Sequence, residues 1–266
     1  MGALRDAARG VLKATGLAHW RYRYHEWAQS RTDDPPPEVD ENGLPIPSAY
    51  LMYLIGGTTN WRFFLKSGEE AVNTFADAVE RAGGDFRGAS RILDLGCGCG
   101  RLARHIPKRS GATLYGVDYN PRLVRWCAKN LPGVYARNRL QPPLDFPGAR
   151  FDVAYLLSVF THLRIDTQNA WLAELARVIR PGGFALVTFH DESHDRLSWV
   201  DITPERLVEE GAIVCNDASE GSNLISTFQS RAQAEAQFSA HFDVAEIIDS
   251  QATPIKQAIA VLKRRA

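Results

Sequence analysis

One stretch constrains the fold more than any other, Arg91-Ile-Leu-Asp-Leu-Gly-Cys-Gly-Cys-Gly-Arg101. An apolar run (Ile92, Leu93, Leu95) meets a turn with glycine at alternate positions, and Leu102-Ala-Arg-His-Ile106 then takes up helical spacing. That spacing predicts strand, tight turn and helix. Gly96, Gly98 and Gly100 let a small ligand approach the backbone where a Cβ would intrude, and the helix start aims unpaired N–H groups at an anion. Asp94 adds a carboxylate at the strand end. The turn thus offers amides for a carboxylate and an acid for an ammonium, which suits the zwitterionic end of an amino acid. Cys97 lies inside the turn and is counted with the ligand-contacting positions.

A second acid, Asp118, closes the apolar run Thr113-Leu-Tyr-Gly-Val117, at the distance from the glycines where an acid reaches ribose hydroxyls. Asp-Leu-Gly-Cys-Gly-Cys-Gly followed by Gly-Val-Asp-Tyr-Asn-Pro resembles the class I S-adenosylmethionine-dependent methyltransferases. The resemblance runs from about Gly68 to the C-terminus and is strongest from Arg91 to Phe189. It implies an α/β fold: a seven-stranded, mostly parallel, doubly wound Rossmann-like sheet, with an N-terminal helical arm at 1–67 and a methyltransferase domain at 68–266. A lid is expected at about 190–225. It further implies S-adenosylmethionine as cofactor, with Asp94 and the glycines at its methionine end, Asp118 at the ribose, and Tyr119, Asn138 and Leu140 at the adenine. The family often carries Asp where Asn138 stands, and Asn also suits an ordinary turn.

The same strand, glycines and acid also serve nicotinamide dinucleotides. Such a turn reads G-x-G-x-x-G, whereas here the third glycine comes one residue early and an acid precedes the first. An NAD(P)-binding oxidoreductase is therefore the alternative reading, and a non-catalytic S-adenosylmethionine-binding subunit is another.

Lys plus Arg equals Asp plus Glu at 31 each, with a sequence pI near 7.1, so no charge excess draws the molecule to nucleic acid or an anionic membrane. A small-molecule substrate is expected, with no nucleic-acid or membrane partner; oligomeric state is unreadable. Arg5, Asp6 and Arg9 interrupt any signal-peptide core, and a cytoplasmic location follows. Cys97, Cys99, Cys127 and Cys215 lack the spacing of a disulfide framework or zinc site and are expected reduced, with no metal implied.

Along the chain, Leu4, Ala7, Ala8, Val11 and Leu12 suggest an amphipathic helix. The aromatic and basic run Trp20 to Trp27 could bind nucleic acid or line a substrate mouth, and is read first as ring packing with solvated arginines. Asp33-Asp-Pro-Pro-Pro-Glu38 is a stiff linker. Tyr50, Tyr53 and Phe64 are candidates to cover the cofactor, or plain core aromatics. Val72, Phe75 and Val79 mark a helix, and Asn120 and Pro121 the N-cap and first position of another.

Phe151 to Val159 is a central strand with Ser158 at its ligand-facing end. Arg180-Pro-Gly-Gly183 separates a helix from a fifth strand, Phe184 to Phe189, and Pro204 to Glu210 is read as a short helix. Leu224 to Phe228 reads as an extra strand, Gln233 to His241 as the last large helix, and Phe242 to Ile248 and Ala258 to Leu262 as a closing hairpin, antiparallel by resemblance. For O-methylation, placed ahead of N- or C-transfer, a histidine at the strand ends is the expected base. His190, with Asp191 as partner, is placed ahead of His162, which also suits a helix cap.

Overall fold

The computed structural model describes residue 24 and residues 27–216, 220–222 and 224–266. The amphipathic segment expected over Leu4 to Leu12, and the aromatic run up to Arg23, lie outside the described residues. The chain divides into two units, 1–64 and 65–266, and the division falls inside a helix, not at 67/68. In the described part of the first unit, Asp33 to Glu38 has no regular structure. Helix α1 (Ala49–Gly56) follows, ending on Gly57 in the left-handed conformation. Tyr50, Tyr53 and Phe64 belong to this unit.

Helix α2 (Trp61–Arg81) is longer than its apolar stripe alone suggests, because it continues through Gly68. In the second unit the order is β1 (Arg91–Leu95), β2 (Thr113–Asp118), α3 (Pro121–Asn130), β3 (Val134–Arg137), β4 (Phe151–Leu156), α4 (Ile165–Val178) and β5 (Ile179–Phe189). Then come α5 (Pro204–Glu210), β6 (Ala212–Cys215), β7 (Ser226–Gln229), α6 (Arg231–Phe238), β8 (Phe242–Ile248) and β9 (Ala258–Arg264). Among the described residues, seven strands form one sheet in the order β3-β2-β1-β4-β5-β9-β8. β1 to β5 are parallel, while β9 runs antiparallel to both β5 and β8. A dinucleotide fold adds its sixth strand parallel to the fifth; the reversed β9 removes that architecture from the alternatives. No helix of the described residues is long and apolar enough to cross a membrane.

Local chemistry explains most boundaries. Asn120 caps α3 by accepting from the Arg122 amide at 3.0 Å, and Pro121 takes the first helical position, where its missing N–H costs nothing. β4 is buried on both faces, the condition that tolerates an almost unbroken apolar run. Helix α4 covers one side with Trp171, Leu172, Leu175 and Val178, and Phe238 of α6 packs on Phe160 and Phe189. Phe75 of α2 packs on Tyr155, ring centroids 5.7 Å apart.

Two expectations change. The segment after the glycine turn is a single 3-10 helix, Ala103–Lys108, rather than an α-helix. Pro107 stands inside it and would clash with an α-helical continuation, so only tight i→i+3 turns form. The Pro-Gly-Gly segment does not precede β5 but bulges within it. Phe151 pairs with Ile179 and Val153 with Phe184, so Asp152 alone spans what Arg180 to Gly183 fill on the other strand. The Asp152 carboxylate holds that bulge, accepting from the Ser90 and Arg91 amides at 2.8 and 2.9 Å and from Arg180 Nε at 2.6 Å.

The insertion after β5 is a folded module. β6 and β7 pair antiparallel, and Leu197, Ile202, Leu207 and Phe228 form its own apolar cluster. The module ends at Gln229 because β7 completes it, four residues past the boundary expected near 225. β6 was not expected at all: Ala212 to Cys215 is short and half-buried along its length.

Candidate functional site

The glycine turn connects β1 to the 3-10 helix at the C-terminal edge of the parallel strands, where open α/β sheets receive ligands. Gly96, Gly98 and Gly100 all have positive φ, 82°, 56° and 76°, which L side chains adopt at a cost. A Cβ on Gly96 would lie 2.4 Å from Val159 Cγ2.

The amides, however, are largely spent inside the protein. Gly96 and Cys97 donate to the Val117 carbonyl at 2.8 and 3.0 Å, Gly98 to Asp118 Oδ2 at 2.9 Å, and Gly100 to the Cys97 carbonyl at 3.0 Å. The expectation that turn amides and an α-helix start bind an anion is therefore corrected. Arg101, missed in the sequence reading, is a cation nearby, as is the buried Arg104, whose Nε donates to the Gly100 carbonyl at 3.4 Å. Desolvation lowers the Arg101 pKa, with Asp94 among the groups that oppose the shift. The position of Arg101 immediately after the last glycine was the available signal. Gly68 was missed too: a Cβ there would meet the Arg101 carbonyl at 2.1 Å, so α2 rests directly on the turn.

Asp94 is buried, and Tyr155 Oη donates to its Oδ2 at 3.0 Å. Burial pushes its pKa up to about 7. Asp118 ends β2 and is also buried. Desolvation raises its pKa, against the Asn120 amide on Oδ1 at 2.8 Å and the Gly98 amide on Oδ2. Each carboxylate oxygen keeps a second lone pair for a ligand hydroxyl.

The adenine candidates converge on the module. Tyr119 Oη donates to the Gly221 carbonyl. Leu140 is held through its carbonyl by Trp171 Nε1 at 2.9 Å, and a Cβ on Gly221 would sit 2.7 Å from Leu140 Cδ1. Asn138 donates from Nδ2 to the Arg139 carbonyl at 2.7 Å, while its buried Oδ1 has no partner among the described residues.

Three further elements reach the same edge. Ser158 follows β4 at φ 59°, with its amide on Thr188 Oγ1 at 2.8 Å and its Oγ accepting from Gln257 Nε2 at 2.6 Å. His162 ends a 3-10 helix, and its Nδ1 lies 2.9 Å from the Ile225 carbonyl. A carbonyl only accepts, so Nδ1 carries the proton and Nε2 keeps its lone pair. Burial lowers the His162 pKa, outweighing that carbonyl.

His190 departs from expectation. The residue is 1% exposed, its ring tilted at 46° to that of His194 with centroids 4.0 Å apart and 5.2 Å from that of Phe228. Desolvation holds its pKa well below the usual value, and His194, Arg196 and His162 add to the shift. Asp191 is not its partner. That carboxylate accepts from Ser193 Oγ at 3.1 and 3.0 Å and from the Ser250 amide at 3.4 Å, tying the module to the β8–β9 loop. All four cysteines are free.

Residues 92–183 match the family model described as "Methyltransferase domain". The chain is 30% identical over 108 residues to a 2-methyl-6-phytyl-1,4-hydroquinone methyltransferase of Synechocystis sp., an alignment covering 40% of this chain and 33% of that one. It is 31% identical over 112 residues to a fatty-acid O-methyltransferase of Mycolicibacterium smegmatis, covering 41% and 40%. The chain thus spans well under half the length of these curated relatives. Among solved structures, the 1,6-didemethyltoxoflavin-N1-methyltransferase of Burkholderia thailandensis shares its fold at TM-score 0.57 and 15% identity, over 88% of this chain and all of the other. The magnesium protoporphyrin IX methyltransferase of Synechocystis does so at TM-score 0.54 and 14% identity, over 98% of this chain and 100% of the other.

Proposed function

We propose that this chain, whose second unit is a class I S-adenosylmethionine-dependent methyltransferase domain, transfers a methyl group to the hydroxyl of a small molecule. S-adenosylmethionine, when bound, supplies a methyl group on a cationic sulfur, an electrophile that needs no activation by the protein. The chain's own residues then have to bind, orient and remove one proton.

The observation that carries the reading is the Asp118 cradle with its orphaned neighbour. A buried carboxylate, already oriented by two backbone amides, stands ready for ribose hydroxyls. Close by along the backbone, where the Asn138 amide donates to the Asp118 carbonyl at 3.2 Å, the unpartnered Asn138 Oδ1 lacks the kind of donor that an adenine amine offers. The residues therefore fit the cofactor. Asp94 and Arg101 take its ammonium and carboxylate, and Tyr119 and Leu140 flank the ring. Cys97 and Ser158 contribute by shaping the turn and the end of β4; the Ser158 hydroxyl is already engaged by Gln257.

His162 is the proposed base. Its tautomer is held by Ile225, its lone pair is on Nε2, and its lowered pKa keeps it unprotonated near neutrality. His190 is the weaker choice because, unlike His162, it has no backbone carbonyl on Nδ1 among the described residues to fix its tautomer.

Calorimetry with S-adenosylhomocysteine tests the cofactor site. Binding is expected in roughly the micromolar range, weakened by about 1 to 3 kcal/mol in Asp118→Ala; tighter binding of NAD would overturn the reading. Transfer of labelled methyl into the small molecules of a cell extract tests catalysis. His162→Ala should lose about 10²-fold in turnover with S-adenosylhomocysteine affinity unchanged. An unchanged rate would remove the base and favour an acceptor that is already nucleophilic; no transfer at all, with the cofactor bound, would favour a cofactor-binding subunit.

A further inference from the structure

Besides Asn138 Oδ1, two buried polar atoms near the ligand edge have no partner among the described residues, His190 Nδ1 and Gln257 Oε1. They flank the end of one antiparallel ladder: Phe189 of β5 pairs with Ala258 of β9, and His190 and Gln257 are the residues next to that last pair, His190 going on to bridge Phe228 of the module. Side chains two apart share a sheet face, which puts His190 with Thr188, and Thr188 Oγ1 takes the amide of the same Ser158 whose Oγ holds Gln257 Nε2. Ser158 thus fixes the amide end of Gln257 and leaves its carbonyl end unanswered. The module closes the site from the other side, with His194 and Phe228 against the His190 ring.

Native proteins seldom leave such atoms unpaired, because each forfeits its water without a replacement bond. None of the internal hydrogen bonds of Asp191, Ser193, Ser158 or Thr188 reaches either atom.

We propose that His190 and Gln257 form the polar end of the acceptor pocket and select an uncharged hydroxyl group. The assignment rests on the methyltransferase reading and names what its acceptor must carry. Gln257 Oε1 can only accept. A neutral imidazole offers either a donor or a lone pair at Nδ1. A hydroxyl satisfies both at once, donating to Gln257 and accepting from His190. A carboxylate has no proton for Gln257 and would face its carbonyl dipole, and an ether can only accept. Sites built around a hydroxyl reject analogues lacking it, because the protein's own buried groups are then left unpaired. His190 acts here by recognition, not as a base.

The test is calorimetry on the protein saturated with S-adenosylhomocysteine, titrated with phenol, anisole and benzoate. Phenol is expected to bind at least about tenfold tighter than the other two, the loss expected for one hydrogen bond unmade. Gln257→Leu and His190→Phe should each shrink that preference to about twofold or less with S-adenosylhomocysteine affinity unchanged. Thermal unfolding of the ligand-free variants gives a second readout. Replacing the unpartnered His190 imidazole by an apolar ring of similar size should hold or raise the melting temperature in His190→Phe, whereas Gln257→Leu also breaks the bond to Ser158 Oγ and should lower it. Equal binding of the three probes, no probe binding, a preference that survives both substitutions, or a lowered melting temperature in His190→Phe overturns the proposal. Failure of the wild-type protein to bind S-adenosylhomocysteine is a separate result, and it takes down the methyltransferase reading itself.

Discussion

Burial pushes the Asp94 carboxyl up to about 7 from its ordinary 3.8, the Tyr155 hydrogen bond and Arg101 offsetting only part of the desolvation. The folded state therefore holds this proton more tightly than the unfolded chain. The stabilisation that follows is full below about pH 4 and is lost as pH rises through about 7. At about pH 8 the ligand-free protein carries a buried carboxylate at a cost of up to about 4 kcal/mol. Asp94→Asn should then stabilise the ligand-free protein at about pH 8, and by progressively less towards pH 4, while weakening S-adenosylhomocysteine. Urea denaturation at several pH values would check it. A pH-independent gain would mean that Arg101 already compensates the charge. The same titration predicts that cofactor affinity rises as pH passes upward through about 7, because an ammonium ligand needs the ionised acid.

The elements that frame the site differ in how they are held. The turn after β1 is held by hydrogen bonds of its own amides, and helix α2 approaches it closely at Gly68. The module is pinned at several points to the cofactor edge. Gly221 donates to the His162 carbonyl at 2.9 Å, Thr227 Oγ1 to the Leu163 carbonyl at 2.7 Å, and Glu220 Oε1 accepts from the Arg164 amide at 2.9 Å. Tyr119 adds its hydroxyl to the Gly221 carbonyl from the adenine side. The module and the proposed adenine site thus share one loop, and Tyr119→Phe should loosen both. The expected loss is about 0.5 to 1.5 kcal/mol in S-adenosylhomocysteine affinity, with faster hydrogen exchange in β6 and β7. Exchange that stays at the wild-type rate would mean that the apolar cluster around Phe228 holds the module by itself.

At the scale of the whole molecule, the features legible in the sequence are those written in local chemistry. Alternating glycines require a turn with positive φ, Asn120-Pro121 requires a helix start, and the apolar run from Phe151 requires a strand covered on both faces. β8 was placed to the residue, although Asp243 and Glu246 interrupt its apolar run and its pairing with β9 shifts register between Val244 and Glu246. Local pattern failed where a tertiary neighbour overruled it. Pro107 tightened a helical spacing into a 3-10 turn, and pairing with β4 drew Ile179 into β5 ahead of a bulge.

The contacts of the proposed acceptor side come from tertiary structure alone. Gln257 meets Ser158 across 99 residues of chain, His162 meets Ile225 across 63, and Tyr119 meets Gly221 across 102. None of these pairs has a spacing that a strand or helix period could mark. The proposed cofactor half is legible in the sequence because one strand, one turn and one acid about twenty residues on come together through neighbouring parallel strands. The proposed acceptor half depends on the reversed β9, whose start brings Gln257 back towards the edge where β4 and β5 end.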